Sequence, residues 1–377
     1  MITAHYEIDA SDVEKAAMAL AVGQSVGNPD IRALRDSDEL LARHQARVID
    51  IEGGRVTVEF PGTNFGESDG IAHIMAVLLG GQVDIDHIEG CRLVDVDFGD
   101  EAGRFSGPRY GIEGIRQLTG AIDRPLIGGI VKPKLGLSPR ELADVCREMA
   151  DGGVDFIKED EVLGDPPWCP LADRVPAVVT ALDGMPTIYA PCVTGDALDA
   201  VRRATLAYEL GASAIHVNVW SGFGTFRAIR EQVELPLFFQ KSGDRVWTTG
   251  HFAMSEVVLY KIVRLMGCDM AHVGMWGGYL NESISALEVK LGVMRGSWIG
   301  LNTLLPSFSC GAHPGLVRDL GERFGNDIMI SSGGAIHGHP MGTTAGARAF
   351  RQAIDPVGTT PELDVALELW GGIGSPR

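Results

Sequence analysis

The sequence has few cysteines and a shortage of positive charge, and each shortage excludes a class of protein. Six cysteines in 377 residues, with no short paired spacing, argue against a zinc ribbon or a disulfide scaffold and fit a reducing cytoplasm. The 32 basic residues against 50 acidic ones give a formal net charge of -18. This balance argues against a partner held through nucleic-acid phosphates or an anionic membrane, so we expect a small-molecule ligand.

The sequence also lacks a segment that would direct it out of the cytoplasm. No uninterrupted apolar stretch is long enough to span a bilayer, and the N-terminus has no basic segment followed by an apolar run. We therefore expect a cytoplasmic protein. An acidic protein that binds an anionic metabolite must gather lysines, backbone amides and a metal ion in one local site.

Residues 1–112 are predicted to form a small α+β domain of the ferredoxin-like type. Apolar alternation indicates the strands, and Gly53-Gly54 marks the turn of a hairpin. The predicted elements are a strand at 2–9, a helix at 12–22, strands at 46–51 and 56–60, a helix at 71–79 and a strand near 91–98. This βαββαβ order is typical of helices on one face of an antiparallel sheet.

Residues 113–377 are predicted to form a (β/α)8 TIM barrel. From about Pro125, short apolar strands alternate with amphipathic helices, and eight such pairs can be counted. The predicted strands begin near Leu126, Asp155, Thr187, Ala214, Leu237, Asp269, Leu304 and Ile328. A doubly wound open sheet is the competing fold, but the count of eight and the length favour a closed barrel, with functional groups at the carboxyl ends of its strands.

An apolar strand that ends in a lysine and three carboxylates occupies residues 152–161. Alternate side chains of a strand share a face, so Lys158 and Asp160 point the same way, and Glu161 can join them in the following loop. A CO2-derived carbamate on Lys158 would complete three anionic oxygen ligands suited to Mg2+. The alternative is a salt-bridged strand end, since structural ion pairs are common.

The other strand ends of a barrel would converge on the same place. They carry lysines, a histidine, serine and glycines, and Gly333-Gly334 after strand eight would expose backbone amides where barrels often bind phosphate. The residues concerned are Lys132, Lys134, Lys241, His272, Ser309, Gly311, Gly333 and Gly334. Taken singly, each has an ordinary explanation as a solvated charge, a core histidine or a turn, but their convergence favours a site.

Several of these segments resemble the large subunit of ribulose-bisphosphate carboxylase (Rubisco), and within that family the Rubisco-like proteins that lack carboxylase activity. Residues 129–138 are similar to the family's catalytic-lysine strand, and residues 152–161 to its carbamate and magnesium motif. Residues 305–311 are similar to its strand-seven serine segment. Gly333-Gly334 with residues 338–342 is similar to its last phosphate-binding stretch, and the resemblance spans nearly the whole chain.

The resemblance implies a Mg2+-dependent lyase, enolase or isomerase that removes a proton next to a carbonyl in a phosphorylated sugar or sugar acid. It implies a homodimer or a multiple of dimers, in which the amino-terminal domain of one subunit covers the partner's barrel mouth. The implied metal ligands are carbamylated Lys158, Asp160 and Glu161. The base would be Lys132, the Lys158 carbamate or His272, and Lys134, Lys241, Ser309, Gly311, Gly333 and Gly334 would bind anionic oxygens or phosphate.

The sequence departs from the carboxylating members at three places. Tyr279 stands where those enzymes present a lysine, and a phenol cannot supply that cation. Gly23, Asn28-Pro29 and Gly81 replace residues that reach a neighbouring subunit's site. Gln240-Lys241 replaces a His-Arg pair, which removes a base and exchanges a bidentate phosphate fork for a point charge.

These departures disfavour true ribulose-bisphosphate carboxylation and leave several alternatives. Carbon–carbon cleavage of a branched oxo-sugar-acid phosphate, by a transcarboxylase/hydrolase or a decarboxylase, uses the same enediolate chemistry. Methylthio-sugar phosphate enolases and isomerases are further candidates, and the sequence does not separate them. A metabolite-binding sensor would be expected to lack a metal ligand, whereas Lys158, Asp160 and Glu161 are all present.

Overall fold

The computed structural model describes residues 1–27, 38–83, 85, 87–355 and 359–372. Within these ranges the strands are β1 (Ile2–Asp9), β2 (Arg47–Glu52), β3 (Arg55–Phe60), β4 (Gly90–Asp97), β5 (Leu126–Ile130), β6 (Phe156–Lys158), β7 (Ile188–Ala190), β8 (Ile215–Asn218), β9 (Leu237–Gln240), β10 (Phe252–Met254), β11 (Met270–Gly274), β12 (Leu305–Phe308) and β13 (Met329–Ser332).

The α-helices of the same ranges are α1 (Val13–Gly23), α2 (Asp38–His44), α3 (Ile71–Leu78), α4 (Gly111–Thr119), α5 (Pro139–Asp151), α6 (Leu171–Ala181), α7 (Ala197–Glu209), α8 (Phe223–Gln232), α9 (Arg245–Thr248), α10 (Glu256–Leu265), α11 (Ile284–Arg295), α12 (Val317–Phe324), α13 (Gly334–His337), α14 (Thr343–Ile354) and α15 (Pro361–Trp370). Every helix described is too short or too polar to cross a membrane.

One compact unit contains residues 1–106 and 243–266. Its sheet has the order β10-β4-β1-β3-β2, in which β1 to β4 pair antiparallel and β10 pairs parallel with β4. The inward residues of β1 alternate with outward ones, as the period of a strand requires, and the buried Tyr6 hydroxyl donates to Leu78 O at 2.9 Å. The predicted ferredoxin-like order is confirmed. The predicted departure at Asn28-Pro29 lies outside the described residues.

The other compact unit contains residues 107–242 and 267–377. Its eight strands pair in parallel in the order β7-β6-β5-β13-β12-β11-β9-β8. A parallel bridge between Cys192 and His216 joins the two ends, where Val193 N donates to His216 O at 3.0 Å. The sheet is therefore closed, and the predicted (β/α)8 barrel is confirmed over the open sheet.

The inside of the barrel changes from apolar to polar along six of its eight strands. An apolar layer includes Phe156 and Phe238, whose rings stack at 5.4 Å. Because side chains two positions apart share a face, the next inward position of several strands lies one layer closer to the carboxyl ends. Those positions hold buried polar groups, namely Lys158, His216, Gln240, His272, Ser307 and Ser331.

Residues 243–266 were predicted to belong to the barrel domain, but the structure assigns them to the first compact unit. Their strand β10 extends the sheet of the first unit, and Ser255 Oγ donates to Val94 O at 2.7 Å. Lys261 Nζ also lies 2.6 Å from Asp95 Oδ1. A three-residue strand has too little pattern to reveal this pairing in the sequence. The predicted domain boundary between residues 112 and 113 stays a prediction.

Candidate active site

Strand β6 places Lys158 at the centre of the carboxyl end of the barrel. The side chain is buried, with Nζ 3.7 Å from Glu161 Oε2 and 3.1 Å from the Glu159 carbonyl oxygen to which it donates. The ammonium also lies 5.9 Å from the centre of the Phe238 ring, in the apolar layer below. A long cationic side chain is thus held between carboxylates above and an aromatic ring beneath.

Glu159 lies between the predicted metal ligands in sequence, but its side chain points to the other side of β6. Its carboxylate accepts hydrogen bonds from Arg174 Nε at 2.9 Å, Tyr189 Oη at 2.5 Å and Cys192 N at 2.7 Å. All of these groups are buried. Glu159 therefore belongs to the internal structure of the barrel, as strand alternation predicts, and not to the site.

The segment after β5 brings two lysines to Asp160. Lys132 Nζ donates to Asp160 Oδ2 at 2.5 Å, and Lys134 Nζ lies 3.7 Å from Oδ1. The Lys132 stem crosses Gly333, where a Cβ atom would lie 2.9 Å from Lys132 Cε. A glycine at position 333 therefore leaves room for the Lys132 side chain, which a larger residue would displace.

Glu161 is fixed by a residue that the sequence analysis did not identify. Ser242 Oγ donates to Glu161 Oε1 at 2.9 Å, and Gln240 Nε2 in turn donates to Ser242 Oγ. Burial raises the pKa of Glu161, but Lys158, the Ser242 hydrogen bond and Lys134 outweigh it and hold the pKa below its ordinary value. The only available signal for Ser242 was its place after the fifth barrel strand.

The buried position of Lys158 changes its acid–base behaviour. Burial lowers the pKa of Lys158, and Lys132 adds to this, while Glu161, Asp160 and Cys192 oppose it. A lower pKa means that more of the side chain is the neutral amine at a given pH. Only the neutral amine has the lone pair needed to add to CO2.

His272 and His216 lie in the polar layer with Lys158. Burial lowers the pKa of His272 well below its ordinary value, and the charges of Lys158 and Lys241 act in the same direction. Burial also lowers the pKa of His216, with further contributions from Lys158 and His272. Both imidazoles are therefore neutral at physiological pH. The sequence analysis did not name His216 as a site residue. Its place two residues after the buried Ala214 indicates that its side chain faces the inside of the barrel.

The ends of β12 and β13 carry the predicted phosphate-binding residues. Ser309 N donates to Gly274 O at 3.1 Å, which ties this turn to β11. Gly311 has a φ of 103°, and a Cβ atom there would lie 2.5 Å from Tyr279 N. Partial burial, and after it the neighbouring Cys310, raises the pKa of Tyr279. Gly334 begins α13, and open space lies where its Cβ would be.

The donor set suits a hard cation only if Lys158 supplies an anionic group. Within the described residues no cluster of three or more His, Cys, Asp or Glu side chains could hold a metal ion. Asp160 and Glu161 provide two carboxylates, and a carbamate on the neighbouring buried lysine would add the third. Three oxygen ligands of this kind are the chemistry that Mg2+ prefers, so the residues present fit the predicted ion.

The structure thus brings five of the predicted residues into one cluster, namely Lys132, Lys134, Lys158, Asp160 and Glu161. Gly333 lies against this cluster, and the charge of Lys241 contributes to the lowered pKa of His272. Ser309, Gly311 and Gly334 lie at the adjoining strand ends. The individual roles assigned to these residues stay predictions.

Sequence comparison relates most of the chain to one family. Residues 111–369 match the family described as ribulose bisphosphate carboxylase large chain, catalytic domain. The 2,3-diketo-5-methylthiopentyl-1-phosphate enolase of Bacillus pumilus is 32% identical, with 96% of this chain and 95% of the relative aligned.

Two solved structures show the same architecture over almost the whole chain. The octameric ribulose-1,5-bisphosphate carboxylase/oxygenase of Pyrococcus horikoshii superposes with a TM-score of 0.93 at 26% identity, covering 100% of this chain and 94% of the other. A rubisco-like protein of Alicyclobacillus acidocaldarius superposes with a TM-score of 0.85 at 31% identity, covering 98% and 100%. Similarity in overall fold therefore does not separate the carboxylase/oxygenase from the rubisco-like protein.

Proposed function

The chain belongs to the ribulose bisphosphate carboxylase large-chain family, and we propose that it is a Mg2+-dependent, enolase-type member of the Rubisco-like group. The predicted resemblance and the prediction of an enzyme are confirmed by the relatives. The proposed reaction removes a proton next to a carbonyl of a phosphorylated sugar or sugar acid and forms an enediolate.

One observation carries this proposal, namely the burial of Lys158 between Asp160 and Glu161. A buried lysine is costly unless it is paired, and here its pKa is lowered, which favours the neutral amine. Addition of CO2 to that amine releases a proton and leaves a carbamate. Carbamylated Lys158, Asp160 and Glu161 would then hold Mg2+.

When bound at these residues, Mg2+ would polarise the substrate oxygens and stabilise negative charge that develops on them. Lys132 is the proposed base, because its stem is fixed over Gly333 and its nitrogen lies at the carboxylate cluster. The Lys158 carbamate is the second candidate. His272 is neutral, so it can accept a proton or orient a substrate hydroxyl.

The remaining residues are proposed to select a phosphorylated substrate. Ser309, Gly311, Gly333 and Gly334 would donate to phosphate oxygens, and Lys134 and Lys241 would supply positive charge. Because the Bacillus pumilus relative is named as an enolase of 2,3-diketo-5-methylthiopentyl 1-phosphate, this compound is the first substrate to test. Phosphorylated oxo-sugar acids that undergo carbon–carbon cleavage are the second class.

We further propose a homodimer or a multiple of dimers. Large apolar side chains are exposed on the segments that follow barrel strands, and exposed apolar groups in one region are typical of an interface. They are Leu135, Val162, Trp168, Leu198, Trp220 and Met341. The Pyrococcus horikoshii relative is itself an octamer.

The proposal is tested by incubating the protein with Mg2+, bicarbonate and each candidate phosphate in deuterium oxide. We expect one class of compound to exchange its α-proton, detected by NMR, only when Mg2+ is present. Product analysis then distinguishes enolisation or isomerisation from carbon–carbon cleavage. Exchange that is equally fast in the Asp160→Asn variant would show that the reaction does not use this site.

A further inference from the structure

All four carboxylate oxygens of Asp160 and Glu161 are already engaged by groups of the chain. Asp160 Oδ2 accepts from Lys132 at 2.5 Å, and Oδ1 lies 3.7 Å from Lys134 Nζ. Glu161 Oε2 lies 3.7 Å from Lys158 Nζ, and Oε1 accepts from Ser242. Three of the four oxygens thus face the side-chain nitrogen of a lysine.

We propose that Lys132 is an internal competitor for the metal, which occupies Asp160 Oδ2 and must leave it when Mg2+ binds. This inference rests on the proposed metal site and adds a role for Lys132 that precedes any proton transfer. Competition is expected because a divalent cation and an ammonium group cannot share one carboxylate oxygen without strong repulsion.

Lys132 is the strongest competitor among the three lysines. Its contact with Asp160 is 1.2 Å shorter than that of Lys134, and its side chain is 30% exposed against 53% for Lys134. A shorter and less solvated ion pair is screened less by water. Lys158 is different in kind, because carbamylation would change it from a competing cation into a ligand.

The position of Gly333 limits where the displaced ammonium can go. The Lys132 stem lies against the Gly333 backbone, with a Cβ clearance of only 2.9 Å to Cε and 3.2 Å to Cγ. The nitrogen can therefore turn about its terminal bonds but stays at the carboxyl end of the barrel. Metal binding would release Lys132 from Asp160 and leave it beside the substrate position.

Isothermal titration calorimetry with Mg2+ at saturating bicarbonate tests this role directly. The carbamate content of each sample is measured by 13C NMR after labelling with 13C-bicarbonate, so that affinities refer to equal ligand sets. We expect Lys132→Met to bind Mg2+ about tenfold more tightly than the wild type, and Lys132→Arg to bind about as weakly as the wild type. The matched control, Lys134→Met, should tighten binding less than about threefold.

A second measurement uses only the wild-type chain and covers the case in which a variant does not fold. Reductive methylation followed by mass spectrometry reports how accessible each lysine amine is, and Lys132 should react faster with Mg2+ bound than without it. Unchanged or weaker Mg2+ affinity in Lys132→Met, or slower methylation of Lys132 with Mg2+, would overturn the inference. If the wild type and Lys132→Met both bind no Mg2+, the proposed metal site itself fails.

Discussion

Arg174 Nε donates to Glu159 Oε1 at 2.9 Å, and both side chains are fully buried. The same guanidinium donates to the carbonyl oxygens of Cys169, Gly164 and Cys192. Glu159 is the sequence neighbour of Lys158 and Asp160, so this ion pair holds the back of β6 while the proposed ligands occupy its front. The proposed ligands Lys158 and Asp160 and the buried ion-paired Glu159 are thus consecutive residues whose side chains lie on opposite sides of the chain.

Arg174→Met is expected to lower the free energy of unfolding by about 3 to 5 kcal/mol, because it leaves the Glu159 carboxylate buried without its cation. Urea unfolding followed by circular dichroism measures the change. Arg147→Met is the matched control, since its ion pair with Asp151 is about half exposed and should contribute less than about 1 kcal/mol. Equal losses in the two variants would contradict the assignment of Glu159 to the fold.

Lys158→Ala is expected to abolish Mg2+ binding and turnover while the chain stays folded. The reason is that Asp160 and Glu161 alone are too few anionic ligands for a stable site. Calorimetry measures binding, and circular dichroism checks the fold. Bicarbonate should raise the activity of the wild type, whereas near wild-type turnover in the alanine variant would refute the metal assignment.

The pH dependence of activation follows from the lowered pKa of Lys158. CO2 adds to the neutral amine, so at constant dissolved CO2 the activation rate should rise with pH and level off above that pKa. The plateau should begin below about pH 10.4, the value of an exposed lysine. A rate that still rises steeply at pH 10.4 would mean that burial does not lower the pKa of the reacting amine.

The chain is expected to be a homodimer or a multiple of dimers, and light scattering measures its mass. Leu198→Asp and Trp220→Asp place charges among the exposed apolar side chains that follow the barrel strands and should weaken the assembly. Leu118→Asp, on α4 before the first barrel strand, is the exposed control and should leave the mass unchanged. A fully active wild-type monomer would exclude this assembly.

Tyr279 should prevent carboxylation of ribulose bisphosphate. A charge-assisted hydrogen bond to a carboxylate is roughly twice as strong as a neutral one, and a phenol offers only the neutral kind. We therefore expect no incorporation of 14CO2 into phosphoglycerate by the wild type. Tyr279→Lys should not restore it, because Gly23, Asn28 and Gly81 also depart from the carboxylase pattern. Labelled product from the unmodified chain would overturn this expectation.

The sequence by itself determined the eight strands of the barrel, the βαββαβ order and the cluster at the end of β6. Each predicted barrel strand begins within one residue of the observed one, because an apolar run between helices has a strong local signal. The alternation of strand side chains also separated Lys158 and Asp160 from Glu159, and Glu161 joined them through the loop that follows the strand. The start of a strand and the alternation of its side chains depend on a few neighbouring residues, so the local sequence predicts them.

Only the tertiary structure decided which distant residues meet. The hydrogen bond of Ser242 to Glu161 joins side chains 81 residues apart, and the fit of Lys132 over Gly333 depends on two strands that pair only when the barrel closes. The assignment of residues 243–266 to the other unit depends on the pairing of β10 with β4. Long-range pairing leaves little trace in either segment alone, because each contact depends on where the rest of the chain has folded.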